Sequence, residues 1–247
     1  MNAYRPKWTA VGLASVAVVA LVVRLAPGET INVVSPLSTT NVEGDADQTP
    51  SLIPLRIQHL ILASDFANLP ASHRRIVAFN FRADITQDQS LDWTKGDERV
   101  WMSTTSLNEL TTNFDNNHGA DRTLVHDGPL SFPLLATGPV GGPRDFAAGP
   151  RLDTPFFYDP SQGNLLVDRV TYVVSQPSAE ATIDTQFTEF NRILISEDPN
   201  SPTGDLLTEV AVLRFEFVPE PSTFVLAGVA LMSLAAWRRK IAAFSRK

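Results

Sequence analysis

The amino-acid sequence predicts a mainly β protein: an antiparallel β-sandwich or jelly-roll-like domain flanked by one apolar helix at each end of the chain. Three observations support this prediction. Short strand-like segments recur at fairly regular spacing, clusters of Gly and Pro separate them, and no long helical period lies between the two ends. With 247 residues, the chain is long enough for one domain of ordinary size and two terminal segments.

Alternating apolar and polar residues are clearest in segments 75–82 and 209–217. In the first segment, Val77, Phe79 and Phe81 share one face, because successive side chains of a strand point to opposite sides. We expect both segments to be half-buried strands. Further strands are predicted in 31–34, 52–62, 99–102, 123–125, 165–174 and 192–195, with Pro54 indicating an edge or a bulge.

Two short helical segments interrupt this pattern. Ser64 is a candidate N-cap for one helical turn over 64–69. Ser106 and Glu109 have the spacing of a capping box, and apolar residues follow at helical spacing. The sequence therefore predicts a helix over 106–114.

The N-terminus has the residue order of a secretory signal. Arg5 and Lys7 precede an uncharged apolar run over residues 8–23. We therefore predict that residues 1–26 are a signal peptide or an uncleaved signal anchor, and that the chain is exported. Residues 27–50 are expected to be a leader, a linker or an edge strand.

The C-terminus begins with a short extended arm, Pro219, Glu220 and Pro221. Proline restricts both its own φ and the conformation of the residue before it, so the arm is rigid. An uncharged apolar run follows over residues 223–237. As a helix this run would be roughly 22 Å long, which makes it a marginal span of a hydrocarbon layer about 30 Å thick.

A basic cluster follows the apolar run and consists of Arg238, Arg239 and Lys240. The positive-inside rule places this cluster in the cytoplasm. An alternative, a buried C-terminal helix of a soluble domain, does not account for this charge asymmetry.

Residues 219–240, within a terminal unit over 219–247, closely resemble the PEP-CTERM sorting signal of bacterial surface proteins. The resemblance implies that an exosortase, a membrane-embedded cysteine transpeptidase, recognises the Pro-Glu-Pro arm and that the helix is removed on processing. The chain would then pass from the cell membrane to the cell surface.

The middle of the chain, about residues 37–218, is also similar to an uncharacterised β-rich ectodomain of PEP-CTERM proteins. The similarity is carried by segments 39–44, 103–105, 119–121, 138–143 and 154–168. It implies a single all-β domain, which we place at 51–218, and it attaches no activity to it.

The composition excludes several classes of function. The sequence contains no cysteine, so a disulfide scaffold, a thiolate nucleophile and a thiolate zinc site are excluded. Residues 27–218 contain 12 basic and 26 acidic residues, a formal charge of −14. Such an acidic body attracts cations and repels polyanions, so we expect no nucleic-acid partner.

One loop contains candidate metal ligands. Asp115, Asn117 and Asp121 offer oxygen atoms at a spacing that suits calcium, although the distal acidic residue of an EF-hand is missing. An Asx-rich turn without metal is the alternative interpretation. His118 and His126 could meet across a turn to bind a metal or orient a hydroxyl, but no metalloprotease or hydrolase motif accompanies them.

These patterns favour a non-enzymatic surface or extracellular-matrix protein whose partners are an exosortase, membrane lipid before processing and extracellular polysaccharide. Apart from the calcium hypothesis, no cofactor is expected. A carbohydrate-binding or adhesive jelly roll is the first alternative, and exposure of Trp93, Trp101 or Tyr172 on one sheet face would favour it. An extracellular hydrolase is the second, and it requires convergent carboxylates or a nucleophile with its base in one cleft.

Overall fold

The computed structural model describes residues 29–48, 53–174 and 181–220, which form antiparallel β-sheets with almost no helix. The mainly β, antiparallel prediction is confirmed. The strands are β1 (Ile31–Ser35), β2 (Ala46–Gln48), β3 (Leu55–Ile61), β4 (Arg75–Phe81), β5 (Leu91–Thr105), β6 (Thr123–Leu134), β7 (Arg151–Phe157), β8 (Asn164–Val174), β9 (Ile183–Phe187), β10 (Ile193–Ser196), β11 (Asp205–Leu207), β12 (Glu209–Ala211) and β13 (Leu213–Val218).

Helical structure in these ranges consists of short 3₁₀ turns at Leu37–Thr39, Ala63–Phe66 and Asp115–Asn117. Within the part of the chain that the structure describes, no helix has the length and apolar character needed to cross a membrane. The expected N-terminal signal helix and C-terminal transmembrane helix lie outside the described residues.

The strands form three sheets. The six-stranded sheet has the order β11-β10-β3-β8-β5-β6, the four-stranded sheet the order β1-β13-β4-β7, and the three-stranded sheet the order β12-β9-β2. Every pairing between these strands is antiparallel. Neighbours in the sheets are mostly distant in sequence, so long-range pairing determines the topology.

The four-stranded and six-stranded sheets share one hydrophobic core, which is the packing expected of a sandwich. The four-stranded sheet contributes Phe79, Phe81, Phe215 and Phe217, and the six-stranded sheet contributes Val100, Met102, Phe132 and Val167. The ring centroids of Phe81 and Phe132 are 5.0 Å apart in an edge-to-face contact between the two sheets. Aromatic contacts of this kind stabilise a core beyond the area that they bury.

The 3₁₀ turn at Ala63–Phe66 closes one side of this core. Leu62 is its N-cap residue and makes no side-chain capping bond, so the prediction that Ser64 caps this turn is wrong. Phe66 is 1% exposed, and its ring lies 5.1 Å from Tyr158 and 5.7 Å from Phe217. A single turn therefore supplies a central aromatic residue of the core.

The predicted helix over 106–114 is also wrong. The backbone of this segment bonds to distant segments instead: the Leu110 N–H donates to Asn191 O at 2.9 Å, and the Phe114 N–H donates to Pro202 O at 3.1 Å. Leu110 and Phe114 cover the outer face of the six-stranded sheet in a second apolar cluster, with Leu60, Leu166 and Leu194. Tertiary burial has overridden the local helical signal.

Segment 209–217 forms two strands in two different sheets, β12 and β13. Between them, the Val212 N–H donates to Asp184 O at 2.9 Å, and Val212 O accepts from the Arg82 N–H at 3.1 Å. The alternation in β13 matches the prediction, with Leu213, Phe215 and Phe217 buried. Strand β3 follows Pro54 but lies between β10 and β8, so the edge or bulge predicted there is not present.

Replacing Phe66 by Ala tests the role of the 3₁₀ turn. Because its ring is buried among three aromatic residues, we expect Phe66→Ala to lower the free energy of unfolding by about 3–5 kcal/mol. The matched control is Phe187→Ala, since Phe187 is 55% exposed. Urea unfolding followed by tryptophan fluorescence measures both, and equal losses in the two variants would contradict the assignment.

Candidate functional site

The last strand, β13, leads directly into the Pro-Glu-Pro arm. Val218 is the final ladder residue, paired with Arg75 of β4, and Pro219 ends the ladder because it has no N–H to donate. Glu220 is exposed, and its backbone N–H donates to Ser72 O at 3.0 Å. Pro219 and Glu220 therefore follow β13 without a spacer, and Glu220 is bonded to Ser72 at the end of the four-stranded sheet. Pro221 and the predicted topology residues Arg238, Arg239 and Lys240 lie outside the described residues.

Both ends of the domain lie at the same end of this sheet. Strand β1 is antiparallel to β13, and its first residue, Ile31, pairs with Phe217. The segment before β1 therefore meets the domain where the segment after β13 leaves it. The sequence alone does not show that these two ends of the domain are adjacent, and the pairing of Ile31 with Phe217 reveals it.

The three candidate calcium ligands each have partners within the protein. Asn117 is buried, and its Oδ1 accepts from the Thr111 N–H at 2.9 Å. Asp121 Oδ1 accepts from the Thr104 N–H at 2.7 Å, whereas Asp115 lies 3.3 Å from Arg56 and 3.2 Å from Arg122. These contacts favour the turn interpretation, and calcium binding at this loop stays a prediction.

The pKa of Asp115 also reflects its contacts with arginine. Partial burial raises the pKa of a carboxyl group, but the hydrogen bonds and charges of Arg56 and Arg122 bring the pKa of Asp115 below its ordinary value. The group therefore stays ionised as a partner of these two guanidinium groups.

His118 belongs to a chain of hydrogen bonds on the outer face of the six-stranded sheet. Its Nδ1 lies 3.0 Å from Ser103 Oγ, and its Nε2 lies 2.8 Å from Asp168 Oδ2. Arg56 binds the same carboxylate through Nε at 3.2 Å and Nη2 at 2.7 Å. His126 has separate partners, since its Nδ1 lies 3.0 Å from Asp153.

The order Ser103, His118, Asp168 is that of a catalytic triad, but the geometry favours a structural role. Ser103 is 0% exposed, so its hydroxyl does not meet a substrate carbonyl in this arrangement. The Gly119 N–H also donates to Ser103 Oγ at 3.3 Å, which fixes the loop to the strand. Side-chain bulk is not tolerated at Gly119, because a Cβ there would collide with Thr104 O.

The electrostatics of Asp168 follow from this network. Burial alone would raise its pKa, but the hydrogen bonds from His118 and Arg56 and the charge of Arg56 bring the pKa below its ordinary value. The carboxylate is thus ionised and paired inside the protein, and it links β8 to β3 and to the loop that carries His118.

The described residues also contain one group of carboxylates that sequence reasoning missed. Ligand oxygens of Glu43, Asp84 and Asp184 all lie within 4.8 Å of one another. The group also contains a resident cation: Arg82 Nε donates to Asp184 Oδ2 at 2.6 Å. No local motif predicts this cluster, because Glu43 lies in a loop, Asp84 lies in the segment after β4, and Asp184 lies in β9.

Two carboxyl groups of this cluster, Glu43 and Asp184, have raised pKa values. Burial and the charge of Asp184 raise the pKa of Glu43 to about 7. Burial also raises the pKa of Asp184 to about 6, although the charge of Arg82 opposes this shift. Three carboxylates, of which Asp184 already binds the Arg82 guanidinium, are a poor match for the six to eight ligands of calcium.

The three aromatic residues singled out in the sequence have different environments. Trp93 is 3% exposed and belongs to the core. Trp101 and Tyr172 are half-buried on the outer face of the six-stranded sheet. Guanidinium groups lie over both rings at 5.2 Å, Arg122 over Trp101 and Arg99 over Tyr172. The outer face thus presents two neighbouring cation–π pairs.

Comparison with known proteins identifies the C-terminal segment. A family model described as the PEP-CTERM protein-sorting motif matches residues 217–240, so the match begins within β13. A search of curated proteins and a search of solved structures gave no match. The predicted sorting signal is confirmed, and it indicates an exosortase-targeted surface protein with exosortase as its processing partner.

The buried pair of Asp168 and Arg56 can be tested by Asp168→Asn. The substitution leaves Arg56 without its main counter-ion, so we expect a loss of about 3–5 kcal/mol in the free energy of unfolding at neutral pH. Asp127→Asn is the control, because Asp127 pairs with Arg99 at the surface, and it should change stability little.

The same pair predicts a pH dependence. Because the pKa of Asp168 is lowered in the folded state, its contribution is fully present above its unfolded pKa of about 4 and is lost as pH falls through the folded pKa. Urea unfolding should therefore show a smaller difference in unfolding free energy between wild type and Asp168→Asn at pH 3 than at pH 7. An equal difference in unfolding free energy at both pH values would show that the charge of Asp168 does not account for the loss of stability in the variant.

Proposed function

We propose that the protein is a non-catalytic component of the cell surface or extracellular matrix. In this proposal it is exported, held at the membrane through its C-terminal segment and then processed by an exosortase. The observation that carries the proposal is the sorting motif at residues 217–240, which continues the last core strand without a linker. In this proposal the motif directs the attached ectodomain to the cell surface.

Features of the ectodomain support a structural role rather than a catalytic one. Ser103 and Asp168 are buried in a network that joins a loop to the sheet, and within the cluster of Glu43, Asp84 and Asp184 the Asp184 carboxylate already binds Arg82. The acidic surface would associate with cations and, through them, with acidic matrix polymers. Extracellular polysaccharide is therefore the partner class that we propose.

A second candidate function, glycan binding, has one observation in its favour. Trp101 and Tyr172 are partly exposed on the same outward face, where an aromatic ring can stack against a sugar. Against it, the guanidinium groups of Arg122 and Arg99 already lie over these rings. Glycan binding would then depend on the free face of each ring or on displacement of the arginine.

Glu220→Ala tests the sorting proposal. If the motif is read by an exosortase, the variant should remain in the membrane fraction as the full-length chain, whereas wild type reaches the surface with a shortened C-terminus. Cell fractionation followed by mass spectrometry of the mature ends measures this difference. Glu109→Ala is the control, because Glu109 is an exposed acidic residue of the ectodomain. Unchanged delivery of the Glu220→Ala protein would remove the proposal.

Trp101→Ala distinguishes the second candidate. If the outer face binds glycans, the variant should bind roughly 10-fold more weakly, as expected for an interfacial aromatic residue. Affinity electrophoresis against neutral and acidic polysaccharides measures the change. Phe187→Ala removes an exposed aromatic residue from a different sheet and serves as the control. Equal mobility of all three proteins on every polysaccharide would exclude glycan binding at this face.

A further inference from the structure

We infer that Glu43 forms a pH-dependent contact that controls how tightly the loop of residues 40–45 is held to the domain. With a proton bound, the Glu43 side chain lies against β9 and the segment after β4. When the proton leaves as the pH rises, the side chain turns out to solvent and the loop loosens. The inference does not depend on the proposed function, because every residue that carries it lies within the domain.

The cluster around Glu43 contains more negative than positive charge. Carboxylate oxygens of Glu43, Asp84 and Asp184 lie within 4.8 Å of one another. Asp84 is 5% exposed and Asp184 is 0% exposed, so water screens these charges poorly. The guanidinium of Arg82 lies among them and binds Asp184. If all four groups were ionised, their net formal charge would be −2. Like charges at this distance disfavour ionisation, so a shared proton stabilises the cluster.

The Glu43 carboxyl group has a position for this proton. Its Oε1 accepts a hydrogen bond from the Ile85 N–H at 3.0 Å. Its Oε2 is shielded from solvent and has no hydrogen-bond partner among the described residues. A buried acceptor without a donor is unfavourable, whereas a proton on Oε2 would make it a donor toward the facing carboxylates. The protonated form of Glu43 therefore fits the cluster better than the ionised form.

The backbone on both sides of Glu43 is bonded to the same cluster. The Gly44 N–H donates to Asp184 Oδ1 at 3.0 Å, and Val42 O accepts from Arg82 Nη2 at 2.7 Å. Arg82 and Asp184 are almost completely buried, whereas Glu43 is half-buried. Glu43 is thus the side chain of this group that can move into solvent. Its release weakens the attachment of the loop between the two backbone bonds.

Charged groups from several segments surround the Glu43 carboxyl group. Burial and the charge of Asp184 raise the pKa of Glu43 to about 7, although the charge of Arg82 opposes this shift. Glu43 also lines a surface cavity with further carboxylates, and this cavity gives the ionised side chain a route to water. The surrounding groups are Arg82 and Asp84 after β4, Asp184 in β9, Asp45 in the loop, Asp47 in β2, and Arg144, which donates to Ile85 O at 2.7 Å.

The direction of the pH dependence follows from the raised pKa. A glutamate in the unfolded chain has a pKa of about 4, whereas the pKa of Glu43 in the folded protein is about 7. The stabilisation is therefore fully present below about pH 4 and is lost as the pH rises through about 7. This direction is opposite to that of Asp168, whose pKa is lowered.

Urea unfolding of the full chain, kept in a non-ionic detergent, tests the Glu43 contact. EDTA in the buffer prevents a divalent cation from replacing the proton. Glu43→Gln supplies an uncharged amide that can accept from Ile85 and donate to a carboxylate at every pH. We expect this variant and wild type to unfold at nearly the same urea concentration at pH 5, and the variant to unfold at a higher concentration at pH 8. Asp45→Asn is the matched control, because it removes an exposed negative charge from the same loop, and its gain at pH 8 should be smaller.

A local probe measures the release of the loop in a chain that keeps Glu43. Because the sequence has no cysteine, Val42→Cys places a single fluorophore beside the Glu43 contact, at a residue that is 54% exposed. The fluorescence anisotropy of this probe should fall between pH 5 and pH 8 with a midpoint at about pH 7, and Glu43→Gln should abolish the fall. Val140→Cys is the control, since Val140 is exposed in the segment between β6 and β7, and its anisotropy should not change.

Three results would overturn the inference. The first is a gain in stability from Glu43→Gln that is no larger at pH 8 than at pH 5. The second is an equal gain from Asp45→Asn at pH 8. The third is an anisotropy at residue 42 that does not change with pH, or that changes by the same amount at residue 140. If circular dichroism shows that the Glu43→Gln chain does not fold, the anisotropy at residue 42 in the chain that keeps Glu43 decides alone.

Discussion

The pairing of β13 with β1 and β4 is the constraint on which the rest of the structure depends. β13 places Phe215 and Phe217 in the shared core, and through β1 it joins the two ends of the domain. A chain without cysteine has no covalent cross-link to hold its termini together, so hydrogen bonding and aromatic packing along this strand must do so. The strand that completes the core is also the strand that presents the sorting motif.

Buried arginines form ion pairs that connect separate segments of the domain. Arg82 pairs with Asp184, Arg169 with Glu98 and Arg56 with Asp168, and each pair joins segments that are distant in the sequence. Such pairs specify register more than they add stability, because desolvation offsets much of their attraction. Each pair also takes one positive and one negative charge from the surface, so the pairs leave the net charge that faces solvent unchanged.

The sequence allowed prediction of those features whose cause is local. Alternation predicted β4 and β13, and the order of proline, apolar and basic residues predicted the sorting segment. The helix predicted over 106–114 failed because Leu110 and Phe114 find larger apolar partners across the sheet than a helix would offer. The network of Ser103, His118 and Asp168 has no local signal, since strand pairing alone brings these residues together. Strand pairing alone also places Ile31 beside Phe217, and no local signal predicts it.

The ladder that ends at Val218, one residue before the arm, also bears on what happens after processing. A cut beyond Glu220 leaves all the strands that the structure describes, β1 to β13, in the chain. The trimmed ectodomain should therefore have the same thermal midpoint as the ectodomain of the uncut precursor. Maturation would then change where the protein resides while the described strands keep their sequence and their pairing partners.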